Sequence, residues 1–330
     1  MRPPGRTGYF PAMHVPSRQH RSPDARAAPR HHCFPTAPVS LSATPLHPLA
    51  RWATDAATAL GITITGPAEE MRRRDWTLLA RIPTTAGPLW AKACARAFAH
   101  EGPLLHTLHR LAPGSVPEPL ALHRDNGWFL TADGGETLRA DPAQRIPPGT
   151  GSHPAPARWQ SALRTYAQLQ QQLSPHITEL RATGVPDLPP ARLLEVYQHY
   201  EHRAPGLTAA ITDAAAELDR YGRLTLEHND LHPGHVFATG TRFFDWGDAV
   251  LTHPFLSMRT LHDPNRETYF DAWRTLGPVT PTEIALAERL APLTALHPWR
   301  TLDLTPGSPA APLAHFVDDL LTQLRNGFER

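Results

Sequence analysis

The second half of the chain is helical and is interrupted once, and this arrangement limits the folds open to it. Apolar residues recur at helical intervals from residue 159 onward, in the stripe Trp159, Leu163, Tyr166, Leu169 and Leu173. The interruption, "RLTLEHNDLHPGHVFATGTRFFDWGDA", has the pattern of short strands around a polar loop. Its "ATGT" turn predicts a hairpin between Val236 and Phe243, whose ends bring Asp230 and Asp245 close together.

The first half mixes helices with strands. Helices are predicted for "PLARWATDAATALG" and "AHEGPLLHTLHRLAP", where apolar residues lie three or four positions apart. "DWTLLARIP" and "GPLWAKAC" predict two strands joined by a turn. "EPLALHRD" and "GWFLTADGG" predict two more, which end at Gly134 and Gly135. This half is therefore predicted to form a small sheet with a helix packed on it.

Composition excludes several kinds of partner and site. A formal net charge of +1 gives no reason to expect nucleic acid or an anionic membrane as the partner. Cys33 and Cys94 lie far apart, which argues against a disulfide framework or a cysteine metal site and suits the cytoplasm. No apolar run approaches the roughly 18 to 20 residues of a membrane helix. Residues 1–43 mix Pro, Arg, His and Ser without periodicity and are predicted to be disordered.

Lys92 is the only lysine among the 32 cationic residues of the chain. Lysine is a compact point charge on a thin stem, whereas arginine presents a broad planar fork. A narrow site beside a phosphate favours lysine. Together with two carboxylates at the mouth of the hairpin, Asp230 and Asp245, it supplies the groups that phosphoryl transfer needs: a base, a metal anchor and a cation.

The motifs "HNDLHPGHV" and "FFDWGDA" resemble those of the aminoglycoside phosphotransferase and choline kinase superfamily. The core pattern of that superfamily is H-x-D-x-x-x-x-N followed by a strand ending in D-[FW]-G, and the resemblance extends from about Pro48 onward. It implies an α+β, bilobal, protein-kinase-like fold, with a small antiparallel sheet and one main helix in the N-lobe and a mostly helical C-lobe. The implied domains are a tail at 1–43, an N-lobe at 44–134, and a C-lobe at 135–330 that carries the catalytic loop and the acceptor site.

The resemblance also implies roles for individual residues. Asp230 matches the catalytic base, and His228 matches the residue that supports the catalytic loop. Asp245 matches the ligand of the Mg²⁺ that bridges the nucleotide phosphates. Lys92 matches the phosphate-binding lysine, and Glu101 its ion-pair partner. The implied activity is transfer of the γ-phosphate of ATP to a hydroxyl of an unidentified small molecule. The oligomeric state is not predicted.

The sequence departs from this pattern in two places. His235 occupies the position of the second metal-binding asparagine, so that an imidazole nitrogen replaces an amide oxygen. Because Mg²⁺ prefers oxygen and Mn²⁺ accepts nitrogen more readily, we expect either a preference for Mn²⁺ or a single metal ion. The segment "ARIPTTAGPL" contains only Gly87, so the chain also lacks a glycine-rich phosphate loop.

Two other functions remain open from the sequence. In an extended chain, His228, Asp230 and His232 would point the same way, as the ligands of a metal-dependent hydrolase do, with Asp245 as a fourth ligand. Alternatively, His235 marks a catalytically weak kinase-like module that binds nucleotide. The acceptor pocket is not defined, and the candidates for it are Asp248, His253, Trp273, His297 and Trp299.

Overall fold

The computed structural model describes residues 40–139 and 156–329. Residues 1–39 of the tail predicted for 1–43, and residues 140–155 of the Pro-rich connector after Arg139, lie outside these ranges. Residues 40–43 are described, and the prediction of disorder is wrong for them, because Leu41 is fully buried and its N–H donates to the carbonyl oxygen of Asp75 at 2.7 Å. No helix of the described residues has the length and apolar character needed to cross a membrane.

A five-stranded antiparallel sheet forms most of the first half. Its strands are β1 (Glu69–Arg73), β2 (Thr77–Ile82), β3 (Leu89–Cys94), β4 (Pro119–His123) and β5 (Trp128–Ala132). Their order in space is β1-β2-β3-β5-β4. In the central strand β3, Lys92 pairs with Leu79 on one side and with Phe129 on the other. The lysine therefore projects from the middle of the sheet, where both neighbouring strands fix its backbone.

Two helices accompany the sheet and differ in what they bury. Helix α1 (Leu46–Ala59) packs Leu49, Ala53 and Ala57 into the small core beneath the sheet. Helix α2 (Glu101–Leu111) instead places Leu104, Leu105 and Leu108 in the larger core of the second half. Helix α2 therefore joins the sheet to the helical part of the molecule.

Helices make up most of the second half. They are α3 (Pro156–Leu173), α4 (Ile177–Arg181), α5 (Leu193–Tyr200), α6 (Thr208–Asp219), α7 (Met258–Leu261), α8 (Arg266–Arg274), α9 (Pro281–Leu296) and α10 (Ala314–Phe328). The five apolar residues of the predicted stripe on α3 are all buried in the larger core. Aliphatic and aromatic side chains from α5 to α10 complete this core, whose burial is the main source of its stability.

Two short pairs of strands interrupt these helices, as the sequence predicts. Strand β6 (Thr225–Glu227) pairs with β9 (Val250–Thr252), and β7 (Val236–Phe237) pairs with β8 (Arg242–Phe243) in the predicted hairpin. The loop from β6 to β7 and the turn after β8 lie side by side. The predicted bilobal α+β architecture is confirmed.

Candidate functional site

Lys92 lies between two carboxylates. Its Nζ is 2.8 and 2.7 Å from the two oxygens of Glu101 and 2.5 Å from Oδ1 of Asp245. Burial lowers the pKa of Lys92, but the charges of Asp245 and Glu101 raise it more, so its pKa lies above the usual range. The lysine is therefore charged, and it links the sheet to the turn after β8.

Two glycines allow Glu101 to reach Lys92. Helix α2 begins at Glu101, and a Cβ at Gly102 would lie 2.6 Å from the carbonyl oxygen of Gly127. A Cβ at Gly127 would lie 2.2 Å from the carbonyl oxygen of Ala99. The start of α2 can therefore rest directly on the β4–β5 turn only because both residues lack a side chain.

Glu101 is almost fully buried and is held from two sides. Burial raises its pKa above the usual range, while the ammonium of Lys92 opposes this shift. The thiol of Cys94 also donates to its Oε2 at 3.2 Å. Helix α2 thus presents a carboxylate whose position is fixed by the neighbouring strand.

Asp245 follows β8 in a left-handed backbone conformation, with φ 65° and ψ 59°. This conformation is uncommon for a residue other than glycine, and it directs the carboxylate to Lys92 and His235 together. Burial raises the pKa of Asp245, but Lys92 and His235 lower it further, so its pKa lies well below the usual range. Asp245 is therefore an anion that faces the cleft between the sheet and the helical part.

Asp230 lies on the loop after β6, and the chain there is not extended. Asn229, the residue before it, has a φ of 63°. In an extended chain, side chains at alternate positions point the same way, but the left-handed residue between His228 and Asp230 breaks this alternation. The expectation that His228, Asp230 and His232 point the same way is therefore wrong. The carboxylate of Asp230 instead meets Arg259, whose Nε and Nη2 each lie 2.8 Å from Oδ1.

His228 is fully buried and holds the loop from behind. Its Nε2 donates to the carbonyl oxygen of Phe244 at 2.9 Å, and its backbone N–H donates to the hydroxyl of Tyr166 at 2.8 Å. Burial lowers the pKa of His228 to about 4, so the ring is neutral. This histidine ties the loop of Asp230 to the residue that precedes Asp245.

The hydrogen bonds of His232 settle which of its nitrogens carries the proton. Nδ1 accepts from the backbone N–H of Gly234 and from Nη2 of Arg139, both at 3.0 Å. Because both partners can only donate, the proton of the neutral ring lies on Nε2. Burial lowers the pKa of His232 to about 4. Neither nitrogen of this ring therefore offers a free lone pair.

His235 has the opposite tautomer. Its Nδ1 lies 2.9 Å from the backbone carbonyl oxygen of Asp230, which can only accept, so Nδ1 carries a proton. In the neutral ring the lone pair of Nε2 then faces Oδ2 of Asp245 across 3.3 Å. Two electron-rich atoms at this separation require a proton or a cation between them.

These tautomers decide which side chains suit a metal ion. Ligand atoms of Asp230, His232 and His235 lie within 4.8 Å of one another. Within that group, however, His232 has no free lone pair, and Asp230 is paired with Arg259. The residues that fit a cation best are Asp245 and His235, whose oxygen and nitrogen converge.

An open cleft adjoins this site between the sheet and the helical part. Lys92, Trp90 and Thr131 line it from the sheet, and Phe237 and Phe244 line it from the other side. The rings of the two phenylalanines stack with their centroids 4.2 Å apart. A flat aromatic group entering the cleft would therefore find a stacking surface near the lysine.

The short segment Gly134 and Gly135, which follows β5 and leads from the sheet to the helical part, is called the hinge, and space requires glycine at position 134. A Cβ at Gly134 would lie 2.1 Å from the ring of Phe237. The carbonyl oxygen of Gly134 also accepts from Nη2 of Arg242 at 3.2 Å, and that guanidinium lies 5.4 Å from the ring centroid of Phe237. The hinge therefore packs tightly against the aromatic side of the cleft.

The acceptor candidates from the sequence fall in different places. His253 and Trp273 are buried in the core, and Nε2 of His253 lies 3.1 Å from Oε1 of Glu283. His297 and Asp248 line a separate, smaller pocket, and Trp299 packs at the edge of the larger core. Burial and the charges of Asp230 and Asp245 raise the pKa of Asp248 to about 7.

Sequence reasoning missed the two arginines that contact the loop. Arg259 lies 29 positions after its partner Asp230, and Arg139 lies 93 positions before His232. In a chain with 31 other cationic residues, neither has a distinguishing motif. The aromatic pair Phe237 and Phe244 could have been found, since the two residues flank the predicted hairpin turn.

Comparison with known proteins agrees with this architecture. Macrolide 2'-phosphotransferase MphH from Brachybacterium faecium has a TM-score of 0.54 and 18% identity, covering 84% of this chain and 98% of that one. Choline kinase LicA from Streptococcus pneumoniae has a TM-score of 0.56 and 13% identity, with 86% and 99% covered. Spectinomycin phosphotransferase APH(9)-Ia has a TM-score of 0.51 and 12% identity, with 83% and 98% covered. No curated protein matches this sequence.

At these identities the solved structures establish the fold and nothing further. The sequence pattern of the phosphotransferase enzyme family matches residues 68–256. This match spans more than half of the chain and includes Lys92, Glu101, Asp230 and Asp245. The chain belongs to the phosphotransferase enzyme family.

Proposed function

We propose that this protein transfers the γ-phosphate of ATP to a hydroxyl of a small molecule. The observation that carries the proposal is the contact of Lys92 with both Glu101 and Asp245 at the edge of an open cleft. The loop of Asp230 adjoins this contact through His235, whose two nitrogens face Asp230 and Asp245. A cation, a metal ligand and a base thus converge where phosphoryl transfer needs them.

The cleft suits a nucleotide. The base would stack on the aromatic side formed by Phe237 and Phe244, and the phosphates would extend to Lys92. Lys92 would exchange part of its contact with Asp245 for phosphate oxygens, while Glu101 keeps the ammonium in position. The spectinomycin phosphotransferase with a similar fold was solved with ADP and spectinomycin, which supports a nucleotide site in a fold of this kind.

Asp245 and His235 would hold the divalent metal ion. Bound there, the ion would neutralise negative charge on the nucleotide phosphates. The facing oxygen and nitrogen of these two residues fit one metal ion with a mixed ligand set, and such a set favours Mn²⁺ more than an all-oxygen set does.

Asp230 would accept the proton of the acceptor hydroxyl. The hydroxyl oxygen forms a bond to the γ-phosphorus, the bond from that phosphorus to the oxygen of the β-phosphate breaks, and ADP leaves. The proton passes from Asp230 to solvent. His228 would keep Asp230 in position through its hydrogen bond to Phe244.

The tautomers weigh against a metal-dependent hydrolase that uses His228, Asp230 and His232. His228 donates from Nε2 to a backbone carbonyl and faces the core, and His232 accepts two hydrogen bonds at Nδ1. A hydrolase of that type also gives no role to Lys92 and Glu101.

Calorimetry of ATP binding with Mg²⁺ and then Mn²⁺ tests the proposal. We expect metal-dependent binding to the wild type and a loss of at least about tenfold in affinity in Lys92→Ala and Lys92→Arg, because neither side chain reproduces the compact ammonium. Arg81→Ala is the matched control, since Arg81 belongs to the same sheet and forms an exposed ion pair with Glu69. Absence of ATP binding with either metal would refute the proposal.

Turnover separates an active kinase from a binding module. Asp230→Asn should keep ATP binding and lower the rate of acceptor-dependent ADP formation by about a hundredfold or more. A wild type that binds ATP but forms no ADP with any hydroxyl compound would instead be a kinase-like binding module.

A further inference from the structure

Two arginines lie against the loop that carries Asp230. Arg259, on α7, directs both Nε and Nη2 at Oδ1 of Asp230. Arg139, which follows the hinge, donates from Nη2 to Nδ1 of His232. The side chain of Arg259 is 54% exposed, and Arg139 is also exposed. Both guanidinium groups therefore border the solvent from which an acceptor would approach Asp230.

Each arginine keeps unused donors. Among the described residues, Nη1 of Arg259 and both Nη1 and Nε of Arg139 have no hydrogen-bond partner. A guanidinium offers five N–H donors in one plane, and its fork matches the paired oxygens of a carboxylate or phosphate. The free edge of each side chain is thus suited to an anion on the solvent side of the loop.

The charges around the loop also favour an anionic ligand. On the solvent side, the described ionisable groups in contact with it are Arg259, Arg139, Asp230 and His232. On the inner side, Asp245 faces His235 and is paired with Lys92, and buried Glu227 accepts from the N–H of Asn229. Two guanidinium groups therefore face one aspartate on the acceptor side, which opposes the approach of a cationic molecule.

The backbone is shaped to keep Arg139 in this place. A Cβ at Gly234 would lie 3.1 Å from Cζ of Arg139 and 2.8 Å from the ring of His232. The backbone N–H of Arg139 also donates to the carbonyl oxygen of Pro233 at 3.2 Å. The arginine therefore lies directly over the loop, at a position that a larger residue at 234 would obstruct.

We propose that Arg259 and Arg139 bind an anionic group of the acceptor, a carboxylate or a phosphate, while the acceptor hydroxyl meets Asp230. This inference rests on the proposed function and adds the chemical class of the acceptor. Because Arg259 contacts Asp230 directly, the hydroxyl and the anionic group are separated by few bonds. The acceptor is a compact hydroxy acid or hydroxyalkyl phosphate, and not a polycation.

Nuclear magnetic resonance of the full chain tests this subsite without turnover. Protein labelled with nitrogen-15 arginine and saturated with Mg²⁺ and ADP is titrated with 3-hydroxypropanoate, 3-hydroxypropyl phosphate, 1,3-propanediol and 3-aminopropan-1-ol. One or both anions should shift the Nε signals of Arg259 and Arg139. The concentration required should be at least about tenfold lower than the concentration at which the neutral and cationic alcohols shift the same signals. The two anions distinguish a carboxylate from a phosphate as the preferred group.

Variants locate the response. Arg259→Gln and Arg139→Gln should each weaken anion binding, whereas Arg274→Gln, an exposed arginine paired with Glu267 and Asp271 on α8, should not. An equal or stronger response to 3-aminopropan-1-ol, or no response to either anion, would overturn the inference. ATP binding is measured separately by calorimetry, so anion binding without ATP binding would refute the kinase proposal alone.

Discussion

At the scale of single residues, two neighbouring histidines have opposite roles because their hydrogen-bond partners differ. His235 donates from Nδ1 and presents Nε2 to Asp245, whereas His232 accepts at Nδ1 from Gly234 and Arg139. Their ring centroids are only 3.8 Å apart, so the two rings share nearly the same surroundings. What distinguishes them chemically is Nε2, which carries the proton in His232 and faces the carboxylate of Asp245 in His235.

Replacing His235 with asparagine should change the metal preference of the protein. The variant supplies an amide oxygen, so we expect the ratio of ATP affinity with Mn²⁺ to that with Mg²⁺ to fall by roughly tenfold. His232→Asn, in the adjacent ring, is the control and should leave this ratio unchanged. Electron paramagnetic resonance of bound Mn²⁺ provides a second measurement, because coupling to an imidazole nitrogen should disappear in His235→Asn. Persistence of that coupling would contradict the assignment of His235 as a ligand.

Glu227, just before the loop of Asp230, should make stability depend on pH. It is fully buried, and burial raises its pKa to about 7 from the usual 4.5. Because the folded state keeps this proton longer than the unfolded state, stability falls as pH rises from 4.5 to 7 and then levels off. The shift corresponds to roughly 3 kcal/mol of unfolding free energy lost over this range.

Chemical denaturation of wild type and Glu227→Gln at pH 5 and pH 8 measures this contribution. Other groups titrate in both proteins. The difference between the two proteins in how much unfolding free energy changes from pH 5 to pH 8 therefore isolates the contribution of Glu227. We expect the wild type to lose more stability than Glu227→Gln between the two pH values. Glu217→Gln, at an exposed position of α6, should behave as the wild type does. An equal pH dependence in wild type and Glu227→Gln would show that Glu227 does not titrate between these pH values.

The sequence indicated which residues the fold brings together at the candidate site, and less about how they are paired. Lys92 could be singled out by its type, and Asp230 and Asp245 by their place around a predictable hairpin. The tautomers of His232 and His235 depend on partners that the fold brings to them, including Arg139 from a distant position. No local pattern contains that information, because it arises from contacts between segments far apart in sequence.

At the scale of elements, the start of α2 controls the position of Glu101. Gly102→Ala would favour the helix by intrinsic propensity, but its Cβ would lie 2.6 Å from the carbonyl oxygen of Gly127. We expect the steric effect to prevail, with a loss of about 1 to 3 kcal/mol in stability and a larger relative loss of activity as Glu101 moves from Lys92. Denaturation and steady-state kinetics measure the two effects.

Gly66→Ala is the matched control for this substitution. A Cβ there would have its nearest neighbour, Pro83, at 3.7 Å, which is an ordinary contact. Its stability should change by less than about 0.5 kcal/mol. If Gly102→Ala were as stable and as active as Gly66→Ala, the close approach of α2 to the β4–β5 turn would have no part in positioning Glu101.

Elements with strong periodicity could be predicted, and those without it could not. Strands β2 and β3 alternate between buried and less buried residues, and α3 has its full apolar stripe. Strand β1, "EEMRR", was not predicted, because it lies at the edge of the sheet and its side chains are mostly exposed and charged. Strand β9 is only three residues long, and the residue it pairs with in β6 lies more than twenty positions earlier, before the loop of Asp230 and the hairpin.

At the scale of the whole molecule, the described residues form two hydrophobic cores. The smaller core lies between α1 and the sheet, and the larger one fills the helical part. Helix α2 follows the sheet strand β3 in sequence, yet its buried leucines belong to the larger core. Its first residue, Glu101, meanwhile pairs with Lys92 in the sheet. The ion pair of the site therefore joins the two cores.

Hydrogen exchange should show that α2 is cooperative with the helical part of the molecule. Amides open in units that share buried contacts, so peptides from α2 should exchange at the rate of peptides from α3 and α9 under mild denaturant. Helix α1, whose buried residues belong to the smaller core, is the matched comparison and should exchange with β2 and β3. Exchange of α2 together with β2 would contradict this division. In that case the pairing of Glu101 with Lys92 would lie within one cooperative unit and would not join two.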